Sequence, residues 1–332
     1  MSEKVSNKIV CLNFTLACLI VLIHSCDILK VDEFSNISIT PVFRFIFSSL
    51  GKLGSIAVPS FFSLSGYLFF RNISSKNVLM KLRRRIKSIV IPLFIWDLVF
   101  YFIYIILFMI PGVGGKINFQ LPNIDIQYFI GVNSVNPPMW FLTRLLLLQI
   151  TGPLLIMFFN WFGKKSIVFI IILAIVNVVF EINYFNPVHW MTNFYLGGYI
   201  SYFFKEYEDM ELKLTKPMRL LVLFIMIVLL YFVDSWIIGP ILVYFIFASY
   251  NINVSERYKA LMSYSFFSMC THYFFVRLYR KVFEIAFGTS NELAMLINLL
   301  MTWIAVIITV NCLGKIIKKL FPKSYMLATG GR

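Results

Sequence analysis

The sequence predicts an all-α protein, a polytopic transmembrane helical bundle of about ten spans with both termini cytoplasmic. Of 332 residues, 60% are hydrophobic and 14% charged, and the mean hydropathy is +0.83, whereas a soluble domain is about half apolar and a quarter charged. Apolar runs of about 17 to 25 residues recur from end to end, each long enough to cross about 30 Å of hydrocarbon as a helix. The basic residues collect in alternate polar segments, as they do between membrane helices.

The first span, 9–28, follows Lys4 and Lys8; its apolar run exceeds that of a secretory signal, and no small-residue cleavage site comes after it. A short polar stretch at 29–41 precedes the second span, 53–70. The basic segment 71–88 leads into the third, 89–110. A loop at 111–138, rich in Gly and Pro, then separates it from the fourth span, 139–160. A loop of that length is either functional or a loose connector. Lys164 and Lys165 mark the turn into the fifth span, 166–184, and the sixth covers 189–204. After a mixed-charge turn at 205–216 come spans at 218–234, 236–250, 261–279 and 293–312.

With the N-terminus cytoplasmic, the inside segments hold 22 Lys and Arg and the outside segments 7. The positive-inside rule supports that orientation. The net charge of +15 is then a matter of topology and contact with anionic membrane lipids, and no aromatic-basic platform for nucleic acid is present. No period of 20 to 50 residues repeats, so 1–332 is one domain. The five cysteines lie in or beside spans without CxxC spacing, which points to neither a metal site nor a disulfide framework.

Polar side chains inside a membrane cost about 2.5 to 3.5 kcal/mol when charged, so they face the bundle interior and mark function or interhelical bonding. Here they are Asn13, His24, Asp97, Arg144, Asn177, Glu181 and His272. Asn13 and His24 are eleven residues apart, which leaves them about 20° apart around the helix and about 16 Å apart along it. They share a face, as the two ends of one channel would, or as two interhelical hydrogen-bonding residues would. An imidazole one turn from the outer surface suits proton transfer near neutral pH. Asp97 can orient a His or pair with Arg144. Arg71, Lys76, Lys81, Arg83, Arg84, Arg85 and Lys87 form a cluster that can hold phosphates or anchor lipid headgroups.

Six segments, in order, resemble the acyltransferase-3 family of bacterial integral membrane acyltransferases. LACLIVLIHS (16–25) is similar to its first helix, which ends in His, and FFSLSGYLFF (61–70) to its second, with Ser65, Gly66 and Tyr67 at the core. RRRIKSIVIPLFIW (83–96) resembles the basic entry to its third helix, and PPMWFLTRLLLL (137–148) its Trp-Phe-Leu signature at Trp140, Phe141 and Leu142. FYLGGYIS (194–201) and SFFSMCTHYFF (265–275) resemble its Leu-Gly helix and a late helix with a second His. In one respect the chain departs: the family commonly has Arg eleven residues before the helix-one His, and Asn13 stands there.

The resemblance implies an O-acyltransferase of the bacterial cytoplasmic (inner) membrane. Its donor is acetyl-CoA or another acyl-CoA from the cytoplasm, and its acceptor a hydroxyl of an extracytoplasmic glycan or lipid-linked saccharide. His24 is then the base or acyl carrier, and Asn13 orients the pantetheine or thioester by hydrogen bonding. Arg83, Arg84 and Arg85 take the phosphates, and Ser65 and Gly66 let the donor's thin arm approach the backbone. Trp140, His272 and Asp97 shape the acceptor side. A membrane glycan polymerase or a polysaccharide transporter or flippase is the alternative class. A transporter would show more intramembrane polar residues and paired broken helices than are seen here.

Overall fold

The computed structural model describes residues 3–26, 39–110, 134–204, 213–250, 254–288 and 291–331. All regular structure among them is helical. In chain order the helices are α1 (Glu3–Cys26), α2 (Pro41–Ser55), α3 (Ala57–Phe70), α4 (Val78–Met109), α5 (Trp140–Ile150), α6 (Gly152–Phe162) and α7 (Ile167–Val179). Then follow α8 (Pro187–Phe203), α9 (Lys216–Leu229), α10 (Ser235–Ser249), α11 (Glu256–Met262), α12 (Ser265–Phe287), α13 (Glu292–Leu320) and α14 (Pro322–Ala328).

Local chemistry sets many of the ends. Pro41, Pro187 and Pro322 open α2, α8 and α14, where a missing N–H costs nothing and the fixed φ already suits a helix. Asn186 Oδ1 caps α8 by accepting from Val188 N at 3.0 Å, and Asn291 Oδ1 caps α13 by accepting from Ala294 N at 2.9 Å. Gly163 and Gly288, at φ 56° and 69°, end α6 and α12 in a backbone region closed to most side chains.

Among the described residues, five helical segments are long and apolar enough to cross a membrane: Glu3–Cys26, Pro41–Phe70, Val78–Met109, Gly152–Val179 and Glu292–Leu320. The expected fourth span, 139–160, is two helices. Thr151 closes α5, and Pro153, which lacks an N–H, sits in the first turn of α6. The expected second span begins twelve residues earlier, because α2 occupies 41–55 ahead of α3. Arg44 and Lys52 make that stretch look like a polar flank, yet Phe47 is buried against Leu22, Met295 and Leu299. The polar stretch at 29–41, the loop at 111–138 and the turn at 205–216 lie mostly outside the described residues.

The outward surface is apolar, as lipid contact requires: Phe102, Ile106 and Phe108 on α4, Ile171, Ile175 and Val178 on α7, and Leu220, Leu221 and Phe224 on α9 are all exposed. Inside, α3 and α8 pack backbone to backbone. A Cβ at Gly66 would overlap the carbonyl of Phe194, and one at Gly197 the carbonyl of Ser63. Small residues at both points allow that approach, in the manner usual between membrane helices. Lys8 does not act as a simple flanking cation: it is 1% exposed and its Nζ donates to the Phe247 carbonyl at 2.7 Å. The C-terminal α14 folds back onto α4, where Trp96 Nε1 donates to the Ala328 carbonyl at 2.8 Å and Tyr325 stacks on Phe267.

Candidate active site

Helix α1 carries His24 and Asn13 into two neighbouring cavities. The first, about 360 Å³, is walled by His24, His272, Tyr273, Trp140 and Tyr184 among others; the second, about 370 Å³, by Asn13, Ser65, Arg85 and Gln149. Phe61, Phe141 and Met269 belong to both walls. These three side chains, from α3, α5 and α12, form the partition between the cavities. The eleven-residue spacing on one helix face thus places His24 and Asn13 in the walls of two adjoining chambers, about 16 Å apart along α1.

In the His24 cavity the imidazole lies 5.3 Å, centroid to centroid, from the ring of His272 and meets Tyr273 edge-on at the same distance. His272 is fully buried, and its Nδ1 is 2.9 Å from the Ser268 carbonyl one turn back. A carbonyl only accepts, so Nδ1 carries a proton, and in the neutral ring Nε2 is then the acceptor. Opposite stands an aromatic wall in which Trp140 packs against Tyr184 at 5.0 Å and Phe185 at 5.8 Å. Two bonds hold that lip in place: Arg144 Nε donates to the Phe185 carbonyl at 2.9 Å, and Trp190 Nε1 to the Tyr184 carbonyl at 2.8 Å.

Asp97 does not line either cavity. It is fully buried, and Ser134 Oγ donates to its Oδ1 at 2.6 Å. Ser134 Oγ accepts from Asn136 N at 3.0 Å, and Asn136 Nδ2 donates to the Cys270 carbonyl at 2.8 Å. This chain of bonds fixes residues 134–136 to α4 and α12, just before Pro137 and Pro138 enter the His24 cavity wall. Asp97 is thus a buttress for the approach to the site, a different use from direct contact with an acceptor.

The basic cluster divides in the same way. Arg85 is half-buried and reaches the Asn13 cavity, while Arg83 and Arg84 are exposed on α4 and line neither chamber. Successive residues on a helix point about 100° apart, so three consecutive arginines cannot all face one cavity. Ser65 lines the Asn13 cavity, but Gly66 does not. The expectation that Gly66 admits a thin ligand is corrected: what approaches its backbone is α8. His189 stays structural, with Nδ1 2.9 Å from the Ile182 carbonyl at the start of α8.

Sequence reasoning missed Tyr184, Tyr273 and Gln149. The first two look like ordinary interfacial aromatics. Gln149 carried a signal, a lone amide in the apolar run LLLLQI.

The fold and the site together define a helical membrane protein with two adjoining interior chambers, one carrying Arg85 and the other two histidines. The chain belongs to the acyltransferase-3 family: residues 10–313 match its family model, described as an acyltransferase domain. It is an acyltransferase. Among curated proteins and among solved structures, none matches the chain.

Proposed function

We propose that the protein moves an acetyl group from cytoplasmic acetyl-CoA to a hydroxyl of an extracytoplasmic glycan or lipid-linked sugar. In this reading it is a multi-pass protein of the bacterial inner membrane, with about ten crossings and both termini in the cytoplasm. The observation that carries the proposal is the pair of chambers on one face of α1, whose walls share Phe61, Phe141 and Met269.

The donor enters the Asn13 chamber, where Arg85 offers a guanidinium to the phosphates. The neutral, slender arm runs toward the partition and presents the thioester to the His24 chamber. There the acceptor sugar lies against Trp140 and Tyr184, whose ring faces suit the C–H faces of a pyranose. His24 takes the proton of the hydroxyl as its oxygen attacks the thioester carbonyl. The C–S bond breaks, an oxygen ester forms, and coenzyme A leaves as the thiol after receiving that proton. His272, 5.3 Å away with Nε2 unprotonated, packs beside the His24 ring and keeps it turned toward the chamber. Asn13 supplies an uncharged amide where the family commonly has a cation, which leaves Arg85 as the charge on the donor.

Purified protein in detergent is expected to transfer or hydrolyse acetyl groups from acetyl-CoA. His24→Ala should abolish turnover while leaving expression and helix content intact, and unchanged turnover in that variant removes the assignment. Glycan analysis of cells with and without the gene should then find an ester mass missing, which identifies the acceptor.

A further inference from the structure

Each chamber has one wall residue with a buried acceptor that makes no hydrogen bond with the described residues: His272, through Nε2, in the first and Gln149, through Oε1, in the second. The other buried acceptors in that condition, such as those of Asn193, Ser201 and Asn311, line neither chamber. His272 already belongs to the reading above, but Gln149 has no role in it. Gln149 is the penultimate residue of α5 and 2% exposed. Around it the chamber wall is largely apolar, with Leu64, Leu145 and Met269, and Asn13 and Ser65 are among its few polar members.

Buried polar atoms in folded proteins are paired, and an unpaired one in a cavity wall calls for an explanation. A missing hydrogen bond matters more in an apolar surround than in water. A ligand that brings an N–H into this chamber would supply the partner.

We propose that Gln149 is a donor-binding residue whose carboxamide oxygen accepts an N–H from an amide of the pantetheine arm. The inference rests on the acyl-CoA reading of the Asn13 chamber. Chemistry selects the arm over the rest of the donor. Its two secondary amides are uncharged, and each offers one N–H and one carbonyl. A side-chain amide matches both and reaches farther from its helix than a serine hydroxyl does, and the chamber has two such amides, Asn13 on α1 and Gln149 on α5. Arg85 in the same wall matches phosphate instead. Gln149 and Asn13 therefore set the register of the arm, and through it the depth at which the thioester meets the partition.

The test is equilibrium binding to the detergent-purified full-length chain with two probes. One is acetyl-CoA; the other is the adenosine bisphosphate half of coenzyme A, which keeps phosphates and lacks the arm. Gln149→Met, similar in volume but without the amide, should weaken acetyl-CoA about tenfold, the loss of one hydrogen bond, and leave the adenosine bisphosphate unchanged. Gln149→Asn, which withdraws the amide by one methylene, should show the same selectivity, and it stands in if the Met variant does not fold. Equal weakening of both probes, or of neither, overturns the role of Gln149 and leaves the donor reading in place. A wild-type chain that does not bind acetyl-CoA overturns the donor reading and this inference together.

Discussion

Removing the ring of Phe141 should turn an acyltransferase into a leaky thioesterase. Phe141 is 9% exposed, lies 4.6 Å from the Phe62 ring and 6.1 Å from that of Phe61, and forms part of both chamber walls. Phe141→Ala in such a place costs about 3–5 kcal/mol of stability through lost burial and the void left behind. The void also joins chambers of about 360 and 370 Å³, and water from one side then reaches a thioester held from the other. Exclusion of water is what keeps an activated acyl group from hydrolysis. The assay is the ratio of acetyl-CoA hydrolysis to acetyl transfer, measured with the melting temperature on the same preparation. Phe69→Ala is the control: Phe69 is fully buried, packs against Gly152 and lines neither chamber, so it should lower stability comparably and leave the ratio alone. If Phe141→Ala and Phe69→Ala change the ratio equally, the partition has no separate role. If Phe141→Ala leaves the melting temperature unchanged, the ring is not packed as described.

Two further substitutions separate the parts of the site. Arg85→Gln alone should raise the donor's KM nearly as much as neutralising all three arginines, with kcat little changed, because Arg83 and Arg84 are exposed and face away from the chamber; steady-state kinetics on the single and triple variants checks this. Asp97→Asn keeps an acceptor for Ser134 Oγ and should stay near wild type. Asp97→Leu leaves that hydroxyl only the longer bond to the Asn136 carbonyl at 3.3 Å, at a cost of about 1 kcal/mol, and should raise the acceptor's KM while the donor's stays put.

What the sequence made legible was set by local rules. Apolar runs long enough to cross a membrane as helices pointed to an all-helical chain, and helical arithmetic put His24 and Asn13 on one face. The distribution of the cluster Arg83, Arg84 and Arg85 was not legible, because which residue of a helix turns inward depends on the neighbours that pack against it. Gly66 illustrates the same limit: glycine in a membrane helix signals a close approach, but not whether a ligand or another helix makes it. For α2 the misleading features were Arg44 and Lys52, two charges that mask a helix with a buried Phe47. Asp97 was recognised as costly to bury, yet its partner Ser134 lies 37 residues away in a segment with no membrane signature.

If donor and acceptor meet from opposite faces of the membrane, as proposed, sealed vesicles from cells that make the protein will label glycan from one side alone. Radiolabelled acetyl-CoA is supplied outside vesicles of either orientation, and label in the glycan fraction is measured for the wild type and for His24→Ala. Inside-out vesicles, with the Asn13 chamber facing the medium, should label glycan in a His24-dependent way, and right-side-out vesicles should not. Equal labelling in both orientations means that donor and acceptor do not meet from opposite faces.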